Sequence, residues 1–481
     1  MDHSNVTMLD LIVVALYLIA MLLIGFHFVK RVKNTGDFYV AGRTLGPVVL
    51  AATVCATIIG GSAMMGRGGI SYTDGMRSVM IAIPYLLGML VFSALAGRIS
   101  KVGRDVGIES IPQLIEYRYG KTAKYIIAAL IGYTMMATVA SQVTATATII
   151  NMLGNDIGIS YEGGAIIATA VFIIYTASSG LFGVVYTDVV QFFMLLAFVY
   201  ILLPISGISQ AGGLSALIDH VPGEMFKVRF DGELIGMIVT NLVFTMAGAE
   251  MWQRAFAAKD RKTATRGMFW GTGVYAVTIF ITLFIGLAAY KLFPNIIEEY
   301  GTADAVIPAM VIRILPAGIT GLTLAGLLSV MMSSADSYLL ISTQTIVNDI
   351  WRTAKPKLTD KEEMRISRVA TVVLALGAMV IALYIKNAYT ALMFAWTFYA
   401  ASVGLPAVAA LIWKKATKQG IISSILTGFV VSVGWSFLDH PPFGLGSAVP
   451  GSIACGIVLV IVSLATYKNN PAPMPQLKEN T

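Results

Sequence analysis

The run Val330-Met331-Met332-Ser333-Ser334-Ala335-Asp336-Ser337-Tyr338 sets oxygen-bearing side chains inside a segment that otherwise reads as a membrane span. On a helix, Ser333, Asp336 and Ser337 stand at i, i+3 and i+4 and so share one face. A carboxylate at the centre of a span costs roughly 2.5–3.5 kcal/mol on insertion scales. Hard oxygen ligands converging on one side of a buried helix suit a small hard cation that sheds its water. A second reading stands beside it: a polar seam bonding to a neighbouring helix, which Ser and Thr also provide.

Two Gly-rich apolar stretches offer the other half of such a site. They are Ala56-Thr57-Ile58-Ile59-Gly60-Gly61-Ser62 and Thr245-Met246-Ala247-Gly248-Ala249-Glu250. A helix unwound at such a place frees backbone carbonyls to coordinate a cation in a protein-lined cavity. Small residues also permit close helix packing with no break at all.

The elements that must position these groups are membrane spans. The chain of 481 residues is 57% hydrophobic and 12% charged, with mean hydropathy +0.78. Soluble domains carry about twice that charge. Apolar runs of the length that crosses hydrocarbon recur near 8–29, 46–66, 78–97, 124–152, 163–179, 184–206, 233–252, 268–290, 318–348, 366–385, 389–412, 420–437 and 448–467. The expectation is an all-α membrane protein of about 13 transmembrane helices, a single polytopic domain over 1–467, with a disordered tail over 468–481. An odd count suggests an accessory helix at 8–29 and two inverted five-helix repeats, spans 2–6 and 7–11. These repeats lie within 46–206 and 233–437, and the two Gly-rich stretches fall in the first span of each.

Charge supplies the orientation. With the N-terminus outside, only Arg67, Arg77, Lys227, Arg229, Lys291, Arg313 and Lys386 of the 33 Lys and Arg fall outside or at outer span ends. The remaining 26 cluster inside, a positive-inside bias that also explains the net charge of +7 without nucleic acid. The expected location is therefore a cell membrane, multi-pass, with a cytoplasmic C-terminus.

Other functions are excluded. His3, His27, His220 and His440 are scattered and form no metal-binding spacing, so no enzyme is expected. Cys55 and Cys455 both lie in apolar spans and read as inert buried thiols. The first apolar run lacks a small-residue cleavage site and is not read as a signal peptide. No signalling module fits after residue 467, which leaves a membrane solute sensor as a remote alternative.

Several spaced motifs resemble those of the sodium:solute symporters. They are Asp37-Phe38-Tyr39-Val40-Ala41-Gly42-Arg43, the Glu109–Gly120 segment, Tyr186-Thr187-Asp188-Val189-Val190-Gln191, the 330–338 run, and Trp413-Lys414-Lys415-Ala416-Thr417 followed by Gly420. The resemblance covers about residues 8–465 and implies a LeuT-like core of two inverted five-helix repeats, with one extra N-terminal and two C-terminal helices. It also implies sodium-coupled uptake of a small organic solute by alternating access, with Na+ as the coupling ion. The bilayer, the solute and sodium are the implied partners, and no obligate protein partner is expected.

Carried over by motif, the main sodium site comprises the carbonyls of Ala56, Ile59 and Val330 and the hydroxyls of Ser333 and Ser334. The family usually has Ala where this chain has Val330. Thr53 would support the site from one turn before Ala56. Asp188 admits three readings: a helix N-terminal carboxylate, a proton carrier, or a ligand of a second cation with Ser333, Asp336 and Ser337. Family members with a second sodium have a hydroxyl where this chain has Asp336.

The solute cavity should draw on Thr57, Ser62, Gln142, Thr144, Asn241, Thr245, Trp396 and Tyr399. Trp396 and Tyr399 also read as packing residues. Asn241 in mid-span needs a partner. Ile58 stands where choline-type relatives carry Trp, which argues against a quaternary ammonium. Arg67 is the one cation placed to meet a carboxylate, or else an interfacial anchor. A carboxylate or zwitterion is preferred: an amino acid, a monocarboxylate or a pantothenate-like acid. A proton-coupled or ion-independent carrier on the same fold is the alternative.

Overall fold

A computed structural model describes residues 6–154, 158–385, 387–468 and 471–475. These residues are helical apart from connecting segments and one isolated bridge between Leu45 and Ala258. The main helices are α1 (Met8–Phe28), α2 (Pro47–Ile59), α3 (Gly61–Asp74), α4 (Arg77–Val106) and α5 (Lys121–Gly154). The run α6 (Tyr161–Gln210) is followed by α7 (Gly232–Met246), α8 (Ala249–Ala257), α9 (Arg261–Leu292) and the run α10 (Ile319–Ala354). The chain ends with α11 (Asp360–Tyr384), α12 (Ala388–Ile412), α13 (Lys418–Ser436) and α14 (Ala448–Thr466).

Polar residues mark where these helices begin. Asp231 caps α7 by accepting from the Leu234 N–H at 2.8 Å, and Asp260 caps α9 by accepting from Thr263 at 2.7 Å. Thr7 with Asp10, and Thr359 with Glu362, form capping boxes at α1 and α11. Each cap satisfies N–H groups that the first turn leaves free.

Among the described residues, eleven helices are long and apolar enough to cross a membrane, and α2 with α3 adds a broken twelfth bent by 49°. The expected thirteen differ at one place. The 163–179 and 184–206 runs are joined in α6, whose 50 residues would extend about 75 Å if straight, over twice the hydrocarbon thickness. The backbone leaves the helical region at Gly180 (φ 52°, ψ −149°), between the two expected spans. The kink at Gly180 falls between the two expected runs, and one helical run continues on both sides of it.

Both expected breaks occur, by different means. Gly60 adopts φ 55° and ψ 118° between α2 and α3, in the left-handed half of the map that costs other residues. Gly61 follows because a Cβ there would sit 2.9 Å from the Cα of Met331 on α10. The second break, at Ala247 (φ −136°, ψ 19°) and Gly248 (φ −54°, ψ 118°), needs no positive φ.

The α10 run is the axis of the molecule. Its apolar window is entirely buried, against 28% for α1 and α11, whose other faces carry Leu16, Leu23, Val369 and Val373 toward lipid. The accessory helix fixes α10 by polar contacts. Buried Asp10 accepts from the N–H groups of Gly318 (2.8 Å) and Gly321 (2.7 Å) at the start of α10. Further along, the Tyr17 hydroxyl accepts from Ser329 at 2.8 Å. Of the 468–481 tail, 469–470 and 476–481 lie outside the described residues, and the Pro473 carbonyl accepts from Arg118 at 3.1 Å.

Candidate functional site

The end of α2 meets the middle of α10. The last carbonyls of α2 have no helical partner, and the negative end of its dipole points at the break. The Ser333 hydroxyl reaches the Ala56 carbonyl at 3.0 Å and the Val330 carbonyl at 3.1 Å. The Ser334 hydroxyl is buried and has no hydrogen-bond partner. Ile59 offers its carbonyl at the break, with only a 3.4 Å contact from Arg67 Nη2. Three of the five expected oxygens thus meet directly. An orphaned hydroxyl beside them is the kind of group a cation would satisfy.

One turn toward the start of α2 lies a charged cluster. Arg254 of α8 is fully buried and pairs with Asp188 at 3.1 Å. Its Nη2 also donates to Thr57 at 2.5 Å and to Ser337 at 2.7 Å, and its Nε to Thr53 at 3.0 Å. The Thr53 hydroxyl donates in turn to Asp188. Thr53 and Thr57 stand at i and i+4, so one face of α2 cradles the guanidinium. Asp336 accepts from the Tyr175 hydroxyl at 2.7 Å and lies 3.2 Å from the Ser337 hydroxyl. The expected second-cation residues are therefore brought together, with Arg254 already among them. Asp188 sits two turns beyond Gly180, well inside the second half of α6, where a helix-start role does not apply.

On the other side of the break lies a closed cavity of about 20 Å³, too small for an organic solute. Arg67, Tyr85, Tyr275, Tyr389, Asn241 and Trp396 are among its walls. Trp396 stacks on Phe244 at 4.1 Å, and Tyr85 on Trp396 at 5.9 Å. Tyr389 is held by its neighbour: the Ala388 N–H donates to Asp304 at 2.9 Å. Burial pushes the Asp304 carboxyl, in a connecting segment outside the spans, up to about 6 against its backbone hydrogen bonds.

Of the expected solute residues, Asn241 and Trp396 line this cavity. Thr57 serves the Arg254 cluster instead. Gln142 accepts from the Ser62 N–H at 3.2 Å and so caps the start of α3. Tyr399 donates to the Ala247 carbonyl at 2.7 Å, stapling the second break. Thr144 bonds the Ile385 carbonyl at 3.0 Å, and the Thr245 hydroxyl donates to the Asn241 carbonyl on its own helix. Arg254, Tyr175, Tyr275 and Tyr389 were not expected at the site. Arg254 is one of the 26 cations on the inner side, and its i, i+4 spacing from Glu250 marks a polar stripe on an otherwise apolar segment.

A broken α2–α3 span and a broken α7–α8 span flanking α10, whose apolar window is wholly buried, with a closed cavity between, define a secondary transporter with a LeuT-like inverted-repeat core. The sequence profile described as the sodium:solute symporter family matches residues 38–428. The chain belongs to that family, whose members are transporters and not enzymes, and Na+ is its coupling ion. Two curated relatives extend the likeness along nearly the whole chain. The high-affinity proline transporter PutP of Bacillus subtilis (strain 168) is 27% identical, covering 95% of this chain and 98% of its own. The sodium/pantothenate symporter of Haemophilus influenzae is 28% identical, covering 91% of this chain and 92% of its own. A solved Na+-coupled sialic acid symporter, substrate-bound and outward-open, shares the fold with a TM-score of 0.81. It covers 97% of this chain and 99% of its own at 18% identity.

Proposed function

We propose that this protein takes up a small carboxylate or zwitterion, such as an amino acid, a monocarboxylate or a pantothenate-like acid, together with sodium. Sodium is held between α2 and α10 by the carbonyls of Ala56, Ile59 and Val330 and the hydroxyls of Ser333 and Ser334. The observation that carries this reading is the 3.0 Å approach of Ser333 to the Ala56 carbonyl beside the unpartnered Ser334 hydroxyl. Rotating the Ser333 hydroxyl hydrogen away leaves oxygens facing one point, as a small monovalent cation requires.

Sodium there ties the broken span to α10 and favours the form that accepts solute; closure follows, and both leave to the low-sodium side. Rocking one group of core helices against the other supplies alternating access. Asn241 and Trp396 contact the solute. A second cation at Asp188, Ser333, Asp336 and Ser337 would require Arg254 to withdraw, so one sodium per cycle fits this conformation. The concentration of 26 Lys and Arg on one side supports an outside N-terminus and a cytoplasmic C-terminus in the cell membrane.

The test is thermal stability of purified protein in sodium against potassium or choline, across small carboxylates, amino acids and sugars. A sodium-specific rise in melting temperature, absent in Ser333→Ala/Ser334→Ala, is expected. Equal stability in every salt would remove the sodium site.

A further inference from the structure

Four cations are buried among the described residues: Arg67, Arg118, Lys124 and Arg254. Arg254 has Asp188, and Lys124 has Glu116 at 2.6 Å. Arg118 is spent on backbone carbonyls, among them Ala410 at 2.7 Å and Trp413 at 3.2 Å. Arg67 differs from all three. No described carboxylate lies within ion-pair distance of it, and it alone lines the closed cavity at the break.

Its hydrogen bonds leave a specific vacancy. Nε donates to the Ala63 carbonyl at 3.2 Å, Nη1 to the Tyr275 hydroxyl at 2.7 Å, and Nη2 to the Ile59 carbonyl at 3.4 Å. A guanidinium carries five N–H donors. Two remain, one on each terminal nitrogen, which is the pair that grips a carboxylate in a fork. Two further donors share the cavity wall: the Tyr389 hydroxyl and the Trp396 indole N–H are buried without partners among the described residues. None of the described residues lining the cavity is Asp or Glu. Glu250, a buried carboxylate with neither oxygen bonded, is not among them, and Asp304 is spent on the Ala388 N–H. The cavity thus presents donors and a positive charge, with aromatic walls and no counter-charge for an ammonium group.

We propose that Arg67 is the carboxylate anchor of the solute site, and that the solute is a monoanionic carboxylate instead of a zwitterionic amino acid. This rests on the symport reading above and narrows its substrate. The rest of the solute lies against Tyr85 and Trp396, with any keto or hydroxy oxygen facing Tyr389. The same contact links solute to ion. Ile59 is both an Arg67 acceptor and a sodium ligand of the proposed site, so the guanidinium charge stands beside the ion, and a carboxylate on its two free N–H groups offsets that charge. Sodium and carboxylate therefore tighten each other's binding by the same factor.

The experiment is titration of the purified full chain with propionate, lactate, pyruvate and pantothenate, beside propionamide and proline, each in sodium and in choline. Binding should favour acids over propionamide and proline, strengthen in sodium, and weaken about 100-fold in Arg67→Gln. Arg67→Lys keeps the charge but loses the fork, should fall between, and serves if the Gln variant does not fold. Propionamide or proline binding as well as the acids would overturn the proposal. So would acid binding unchanged in the Arg67 variants, or silence across the whole acid panel. Wild-type sodium stabilisation without solute is read separately; its absence sinks the sodium site and leaves the acid ranking to judge Arg67.

Discussion

Arg67 and Arg254 are the same residue type, both buried, on opposite sides of one helix break, and their surroundings differ in one respect. Arg254 has a carboxylate, Asp188 at 3.1 Å, and three hydroxyls from Thr53, Thr57 and Ser337. Arg67 has two carbonyls, one phenol and a cavity. Burying a charge costs several kcal/mol after relaxation; backbone carbonyls offset it for Arg118, and a counter-charge offsets it more strongly. Arg254 finds one within the chain, and the pair then ties α2, α6, α8 and α10 into one closed cluster. Arg67 finds none among the described residues, and the proposed solute carboxylate would complete it. A buried charge that is paired holds the structure together; one left open is a place for a ligand.

The largest effect that could break this contrast is on stability. Asp188→Asn leaves Arg254 buried without its counter-charge and should cost about 3–5 kcal/mol, read by denaturant or thermal unfolding. Arg67→Gln removes a charge that has no carboxylate partner among the described residues and should cost less than that; equal losses would erase the distinction. Replacing Asp188 and Arg254 together with apolar residues of similar volume should recover most of the stability while loosening the closed form, measurable as faster alkylation of Cys55.

Gly60→Ala comes next. A Cβ there meets nothing nearer than 3.7 Å, so the penalty is the positive φ alone, roughly 1–2 kcal/mol. A smaller loss would mean that the break tolerates another geometry. Ser334→Ala removes a hydroxyl that bonds nothing, so stability in choline should hardly change while the sodium-specific increment disappears. Loss of stability in both salts would assign Ser334 a packing role instead.

The smallest effect is one of pH. Asp304 is raised from 3.8 to about 6 by burial, so the neutral form is the one the fold favours. Its contribution is complete below about 3.8 and is lost as pH rises through about 6. Thermal stability should decline slightly over that window, and Asp304→Asn should flatten the decline. An unchanged profile would show that Asp304 does not govern the Tyr389 side of the cavity.

Much of this was legible in the residues. The spans, the two breaks and the Ser333/Ser334 pair are local signals: hydropathy over about 20 residues, a Gly-rich interruption, hydroxyls at helical spacing. The two runs expected at 163–179 and 184–206 form one helical run kinked at Gly180, which hydropathy by itself does not show. The solute residues were less legible. Thr57, Gln142 and Tyr399 have the polarity of a binding site, yet they are engaged by Arg254, Ser62 and Ala247. Polarity within a span says that a group needs a partner, not which one.

Membrane residence and the positions where the two Gly-rich helices break were determined by the sequence itself, because each depends on transfer free energies and backbone preferences summed over neighbouring residues. Only the tertiary structure decided which arginine is paired. Arg254 meets Asp188 across 66 residues and Thr53 across 201, while Arg67 meets Tyr275 across 208. Those meetings depend on how α2, α3, α6, α8 and α9 pack, and no local free energy encodes them.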